Sequence, residues 1–200
     1  MYSCNKCKDF GLRFEREYEP TEFIAGKVNS KIWIVGLNPA IEVKEDNRTT
    51  KDLSTYFDDS DNIHNYFNSF KKVSKKLFGM LGKEDGVSHV DIVKCSSKKW
   101  PPSSCSGKAA EQIIDNCKVY LIKQIKCYQP RLIICNGVPV SRKIQEILEV
   151  NKWLTETTYE SIVNEKKTIV VLAGFIGRID NFAKKRLGYE IDSILESLEI

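Results

Sequence analysis

Apolar positions fall into short β-rich runs that alternate with helical stripes. Residues 31–36 (KIWIVG) form a nearly continuous apolar run closed by Gly36 and Pro39, which predicts a buried strand entering a loop. Residues 41–60 are charged and turn-rich, a long loop of the kind that carries function. Between 65 and 81, Phe67, Phe70, Val73, Leu77 and Met80 recur at steps of three and four and predict an amphipathic helix. The alternation then repeats: a strand at 88–94 (SHVDIVK), a helix at 108–126 on Ile113, Ile114, Cys117, Leu121, Ile122 and Ile125, and a strand at 131–135 (RLIIC). A helix at 140–150, opened by Pro139 and Ser141, leads to a strand at 168–172 (TIVVL). A last helix spans 179–198, interrupted at Gly188, with Ile191, Ile194, Leu195 and Leu198 on one stripe.

Four strands that are apolar on both faces and separated by helices predict an α/β fold. Its centre is a mostly parallel four-stranded sheet between two helical layers, a three-layer α/β/α sandwich. No linker, repeat or low-complexity tract divides the chain, so 1–200 reads as a single domain, with 1–30 an aperiodic extension. In such sheets ligands bind beyond the carboxyl ends of the strands, which directs attention to Asn38, to 91–95, to Asn136 and to 173–178.

Composition narrows the function classes. Of 200 residues 42% are hydrophobic and 29% charged, which fits a globular chain and excludes a disordered one. The net charge of +4 permits a nucleic-acid partner without demanding one. Seven cysteines cannot all pair, the first ten residues lack the apolar core of a secretory signal, and the longest apolar run falls far short of the ~20 residues that span a bilayer. The expectation is a cytoplasmic, membrane-free, monomeric protein whose cysteines serve a metal or catalysis.

Cys4 and Cys7 form a CxxC, and Cys95 and Cys117 follow the second strand, with Cys105 between them. A CxxC with two further cysteines suits tetrahedral zinc or an iron–sulfur cluster, although Cys117 also fits as a plain apolar residue of its helix. Cys127 and Cys135 read as core. After the first strand, Gly36, Leu37, Asn38, Pro39 and Ala40 form a tight loop in which Gly36 permits close approach and Asn38 offers both a donor and an acceptor. The same residues also describe an Asn–Pro turn without chemistry. The loop lacks the glycine spacing of a phosphate cradle.

This Gly-x-Asn-Pro loop resembles motif I of the uracil-DNA glycosylase superfamily. The stretch HVDIVKC followed by EQIIDNCKVYLIKQIKCYQPRLIICNG is similar to the iron–sulfur (family 4-like) branch, over 88–137. The resemblance implies a DNA glycosylase that flips a deaminated base, uracil or a related one, and hydrolyses its N-glycosidic bond in base excision repair. It also implies DNA as partner, and Cys4, Cys7, Cys95 and Cys117 as ligands of a structural 4Fe-4S cluster, with structural zinc the alternative. Such a cluster would tie the first 30 residues to the sheet.

The sequence departs from that branch in three places. Where that branch has Gly-Glu-x-Pro-Gly, motif I here has Leu37 at the second position and Asn38 at the third, as in the mismatch-specific and single-strand-selective relatives, so Asn38 is the implied catalytic residue, with Gly36, Leu37 and Pro39 shaping the substrate loop. Asp91 stands where the branch has the asparagine that pairs with the flipped base. An ionised aspartate only accepts, so either the pocket prefers a base edge presenting donors or burial keeps Asp91 protonated. Motif II has no histidine. Its stretch AGFIGRIDNFAKKR is closer in character to the arginine version, with Arg178 at the arginine, Phe175 or Ile176 as an apolar wedge, and Lys184 and Lys185 toward phosphates. Neither His64 nor His89 stands at motif II, which argues against histidine as electrophile. Phe57, ahead of Tyr56, is the expected stacking partner for the base. The missing motif I glutamate and motif II histidine leave a second possibility, a catalytically weak or inactive iron–sulfur nucleic-acid binder of the same fold.

Overall fold

The computed structural model describes residues 1–39, 48–59, 63–102 and 105–200. Four strands line up in parallel as the sequence predicts: β3 (Ile32–Gly36), β4 (Val87–Asp91), β5 (Leu132–Cys135) and β8 (Lys166–Val171). They are preceded by a small hairpin of β1 (Tyr2–Cys4) and β2 (Phe14–Arg16). The central sheet is larger than predicted, with six strands in the order β4-β3-β5-β8-β7-β6. The two additions, β6 (Lys152–Trp153) and β7 (Thr158–Val163), run antiparallel at the β8 edge.

Alternation along the strands sorts the core into two layers. Trp33, Val35 and Ile133 face α4 (Gly107–Tyr128) and α5 (Val138–Ile147), together with Phe14, Tyr18 and Phe23 of the amino-terminal segment. Ile32, Ile34, Leu132 and Ile134 face α2 (Asn65–Lys71), α3 (Lys75–Gly79) and α6 (Asn181–Ser197). The result is the expected α/β/α sandwich. Among the described residues no helix is long and apolar enough to cross a membrane.

The predicted helix over 65–81 is two helices. Ser74 caps the second by accepting from the Leu77 amide at 3.0 Å, and both keep the same apolar stripe on the sheet. Gly188 does not interrupt α6. A Cβ there would lie 1.9 Å from the Val73 carbonyl oxygen, so glycine lets the α2–α3 junction seat against the helix. Of the predicted loop 41–60, residues 48–59 contain the short helix α1 (Thr50–Ser54), while 40–47 and 60 lie outside the described residues.

The first 30 residues are built into the fold. Phe14, Tyr18 and Phe23 pack edge-on and stacked at 5.9–6.4 Å, and Ala25 exchanges backbone hydrogen bonds with His89 of β4 at 2.8 and 2.9 Å. This segment thus covers the outer edge of β4.

Candidate active site at the carboxyl edge of the sheet

Parallel pairing brings the ends of β3 and β4 side by side, with Gly36 opposite Asp91. The pairing continues past the strands: Ile92 donates to Gly36 (3.1 Å), Val93 to Leu37 (2.9 Å) and Ser97 to Pro39 (3.2 Å). The motif loop is therefore fixed along its length to the 92–97 segment. Asn38 is oriented by this stitching, its Nδ2 donating to Ser97 Oγ at 2.9 Å and to the Pro39 carbonyl at 3.2 Å. Its other amide atom, Oδ1, remains as the acceptor. Pro39 is buried and Leu37 half-buried against the α4 layer.

Asp91 and His89 project from the same face of β4, two residues apart. Both crowd the space above Gly36, where a Cβ would stand 2.3 Å from Asp91 Oδ1 and 2.8 Å from His89 Nε2. His89 Nδ1 lies 3.8 Å from Asp91 Oδ2, an electrostatic contact between two buried groups. Burial pushes the Asp91 carboxyl above the ordinary carboxylate range, against the pull of His89, Lys94 and Arg48. Burial also lowers His89, against the pull of Asp91, so the ring stays neutral at neutral pH.

Three further residues close the arrangement. The Tyr66 hydroxyl of α2 lies 3.3 Å from His89 Nε2. Asn136, just beyond β5, donates Nδ2 to that hydroxyl and accepts at Oδ1 from the Ile176 amide at 2.7 Å. Phe175 lies 6.1 Å from the Tyr66 ring and is 41% exposed, and the Arg178 guanidinium sits 5.8 Å over the Phe175 ring. Asn38, Asp91, Asn136 and 175–178 thus gather at the ends of four adjacent parallel strands.

Other predicted residues lie elsewhere. Phe57 is buried, its ring 4.9 Å from Phe67, which in turn rests 5.2 Å from His89. It backs the site from a second layer, so the expected stacking role does not fit its placement. Ile176 is fully buried in the α6-side core, and a wedge must be exposed before it can enter a duplex. Lys184 is also buried, facing inward on α6, whereas Lys185 is exposed. The histidine expectation needs amendment too: motif II has none, yet His89 enters the site from β4. Tyr66 and His89 were missed, although His89 stands two residues before Asp91 on a strand and so had to share its face.

On the α4 side the cysteines converge. The Cys117 thiol lies close enough to those of Cys7 and Cys95 to interact with both. Asn116 Nδ2 donates to Cys7 Sγ at 3.6 Å, and the Tyr120 hydroxyl donates to Cys4 Sγ at 3.2 Å. The interaction with Cys7 lowers Cys117, but the interaction with Cys95 and burial outweigh it and lift the thiol to about 11. Among the described residues no group of three or more His, Cys, Asp or Glu is gathered closely enough to hold a metal ion as placed. The thiols form a chain, with Cys4 turned to Tyr120. As a donor set, four cysteines drawn from β1, the following turn, the 92–97 segment and α4 nevertheless suit a thiolate-ligated group. Cys105 is half-buried nearby, Cys135 is core as predicted, and Cys127 is exposed on α4, contrary to expectation.

Between the two sites lies Lys94, 2% exposed. Its Nζ donates to the Asp91 carbonyl (2.5 Å) and to Gln124 Oε1 (2.6 Å), and burial pulls its ammonium down to about 8. Gln124 in turn donates to the Thr21 and Phe23 carbonyls, joining the amino-terminal segment to the end of β4.

No curated protein matches the chain. A family model described as Uracil DNA glycosylase superfamily matches residues 23–182, a span that takes in all four parallel strands and every residue of the sheet-edge site. The chain belongs to the uracil-DNA glycosylase superfamily.

Proposed function

We propose that the protein is a monofunctional DNA glycosylase that accepts a flipped, deaminated base at the sheet edge and hydrolyses its N-glycosidic bond. The observation that carries this reading is the pairing of the Asn38 loop with the Asp91 strand end across two adjacent parallel strands, in a chain of this superfamily. Asn38 Oδ1, with the amide nitrogen anchored on Ser97, is suited to hold the attacking water by accepting a hydrogen bond from it. An amide is no base, so the C1′–N bond breaks with its electron pair leaving on the base. The water oxygen bonds to C1′, and its proton passes through solvent to the departed base. Asp91 is the group positioned to meet the ring edge of that base. Arg178 and Lys185 are the exposed cations suited to backbone phosphates, and Phe175 is the exposed apolar side chain suited to fill the space the base leaves.

Cys4, Cys7, Cys95 and Cys117 would hold a 4Fe-4S cluster, with zinc the competing occupant. When bound, such a group supplies a structural cross-link between the amino-terminal hairpin, the end of β4 and α4. The second reading, a weak or inactive DNA binder, draws support from Asp91, because an ionised carboxylate beside a departing anionic base opposes its departure.

Oligonucleotides bearing uracil, hypoxanthine or a thymine mismatch test the proposal, with Asn38→Ala assayed alongside. Excision of at least one of these bases, reduced about 100-fold or more in Asn38→Ala, is the expected result. Excision unaffected by the substitution defeats the assigned mechanism. Binding without excision of any base favours the second reading.

A further inference from the structure

We infer that Asn136, Tyr66 and His89 form one oriented hydrogen-bond chain that positions the Asp91 carboxyl, holding Oδ2 toward His89 and Oδ1 over Gly36 as the atom that reads the base. The inference rests on the proposed base pocket for its meaning, but its geometry stands on hydrogen-bond valence as far as His89 and on an electrostatic contact from there to Asp91.

The direction of the chain is set at its far end. A backbone amide can only donate, so the atom of Asn136 facing the Ile176 N–H, 2.7 Å away, must be Oδ1. The atom facing Tyr66 is therefore Nδ2, and the Tyr66 oxygen accepts from it. The single phenolic proton then points to His89 Nε2 at 3.3 Å, which must present its lone pair. A neutral ring with an unprotonated Nε2 carries its proton on Nδ1, the nitrogen that lies 3.8 Å from Asp91 Oδ2 in an electrostatic contact longer than a hydrogen bond. Each link is decided by the one before it, and the first is decided by main chain.

Two consequences follow for recognition. With its Nε2 lone pair taken by Tyr66, His89 offers the cleft neither a donor nor an acceptor there, so it acts through Asp91. With Oδ2 facing the Nδ1–H, Oδ1 is the carboxyl atom left for a ligand. Deamination of cytosine or adenine turns a ring-nitrogen acceptor into an N–H donor, and an ionised Oδ1 is the acceptor that matches the new donor. The residues that hold it there are positioning residues for base selection.

The chain contains only two histidines, and the structure assigns them opposite tautomers. His64 caps α2 by accepting the Tyr66 amide at Nδ1 (3.1 Å), so its neutral ring carries the proton on Nε2. Ring ¹⁵N NMR of the full-length protein, labelled at histidine and held at neutral pH, reads both at once. One Nδ1–H ring, assigned to His89, and one Nε2–H ring, assigned to His64, are expected. Tyr66→Phe removes the donor to His89 Nε2, so the Nε2 resonance of His89 should shift while the His64 ring is unchanged. An Nε2–H or doubly protonated His89 in the unmodified protein overturns the chain, as does a His89 ring identical in Tyr66→Phe. The measurement uses no DNA, so its failure is distinct from failure of the glycosylase reading, which the oligonucleotide assay decides.

Discussion

Gly36 and Asp91 face each other across β3 and β4, and a single methyl group on Gly36 would come within 2.3 Å of Asp91 Oδ1. The glycine is required by close approach, since both residues sit in ordinary strand geometry. Gly36→Ala must displace a buried carboxyl that is held by its neighbours. The expected outcome is a loss of about 1–3 kcal/mol in denaturant unfolding, as overpacking generally costs. A much larger relative loss in base excision should accompany it. An alanine variant with unaltered stability and excision would show that Asp91 moves aside freely.

Asp91→Asn replaces an acceptor by a group that donates as well. The change supplies a donor for the carbonyl that uracil (O4) and hypoxanthine (O6) each carry beside the ring N–H, so excision of both bases should rise. Rates on both substrates that are unaltered by the change would remove Asp91 from base recognition.

The same variant tests the buried carboxyl through its pH dependence. Asp91 is raised chiefly by burial, in the company of His89, Lys94 and Arg48. A raised acid binds more protons folded than unfolded, so the wild-type protein loses stability as pH rises from the ordinary carboxylate value through the folded one. His89, lowered by burial, works in the opposite sense below its ordinary value. Asp91→Asn removes the first contribution and, by taking away the carboxylate that raises His89, deepens the second, and both changes favour the variant as pH rises. Its Tm relative to wild type should therefore increase as pH rises above the ordinary carboxylate value of about 4. A Tm difference that is flat or falls over that range would contradict the placement of Asp91.

The parallel sheet was legible because Ile32–Gly36, Leu132–Cys135 and their neighbours are apolar on both faces, which few other environments accept. Asn38 and Asp91 were legible for a related reason, since polar residues directly after such strands lie at the ligand edge. The antiparallel strands β6 and β7 were not. They join β8 through Asn164 and Glu165, both left-handed at φ 45° and 66°, a hairpin turn without the glycine that usually announces it. Tyr66 was hidden inside an amphipathic stripe, beside Phe67 and Phe70, and only the tertiary placement of α2 turns its hydroxyl to His89. Ile176 and Lys184 failed for the converse reason. Their neighbours Phe175 and Lys185 are exposed, and sequence character alone does not say which of two adjacent residues faces inward.

Removing one thiol tests the proposed cluster. Protein purified without oxygen should be brown, with a broad absorption near ~400 nm from thiolate-ligated iron, and Cys117→Ser should lose it. The amino-terminal segment should remain docked in part, because Phe14, Tyr18 and Phe23 are buried independently of the thiols. Limited proteolysis would then report faster cleavage before residue 14 than after it. A colourless wild-type protein carrying stoichiometric zinc would replace iron–sulfur by the zinc alternative.

Phe175 and Ile176 are adjacent in sequence and opposite in role. Phe175 is 41% exposed and, among the described residues, has ring contacts only with Tyr66 and Arg178, whereas Ile176 is fully buried and its amide anchors Asn136. Phe175→Ala should leave stability within about 0.5 kcal/mol of wild type while lowering excision from duplex more than from single strands, because the wedge matters only where a stack must be opened. Ile176→Ala should instead cost about 2–5 kcal/mol in unfolding by leaving a core cavity. Its amide survives the substitution, so the Asn136 chain should persist wherever the variant is folded. Calorimetry on both variants, with paired duplex and single-strand assays, separates the two roles. A Phe175→Ala protein that loses stability, or that loses activity equally on both substrates, would assign Phe175 to packing instead.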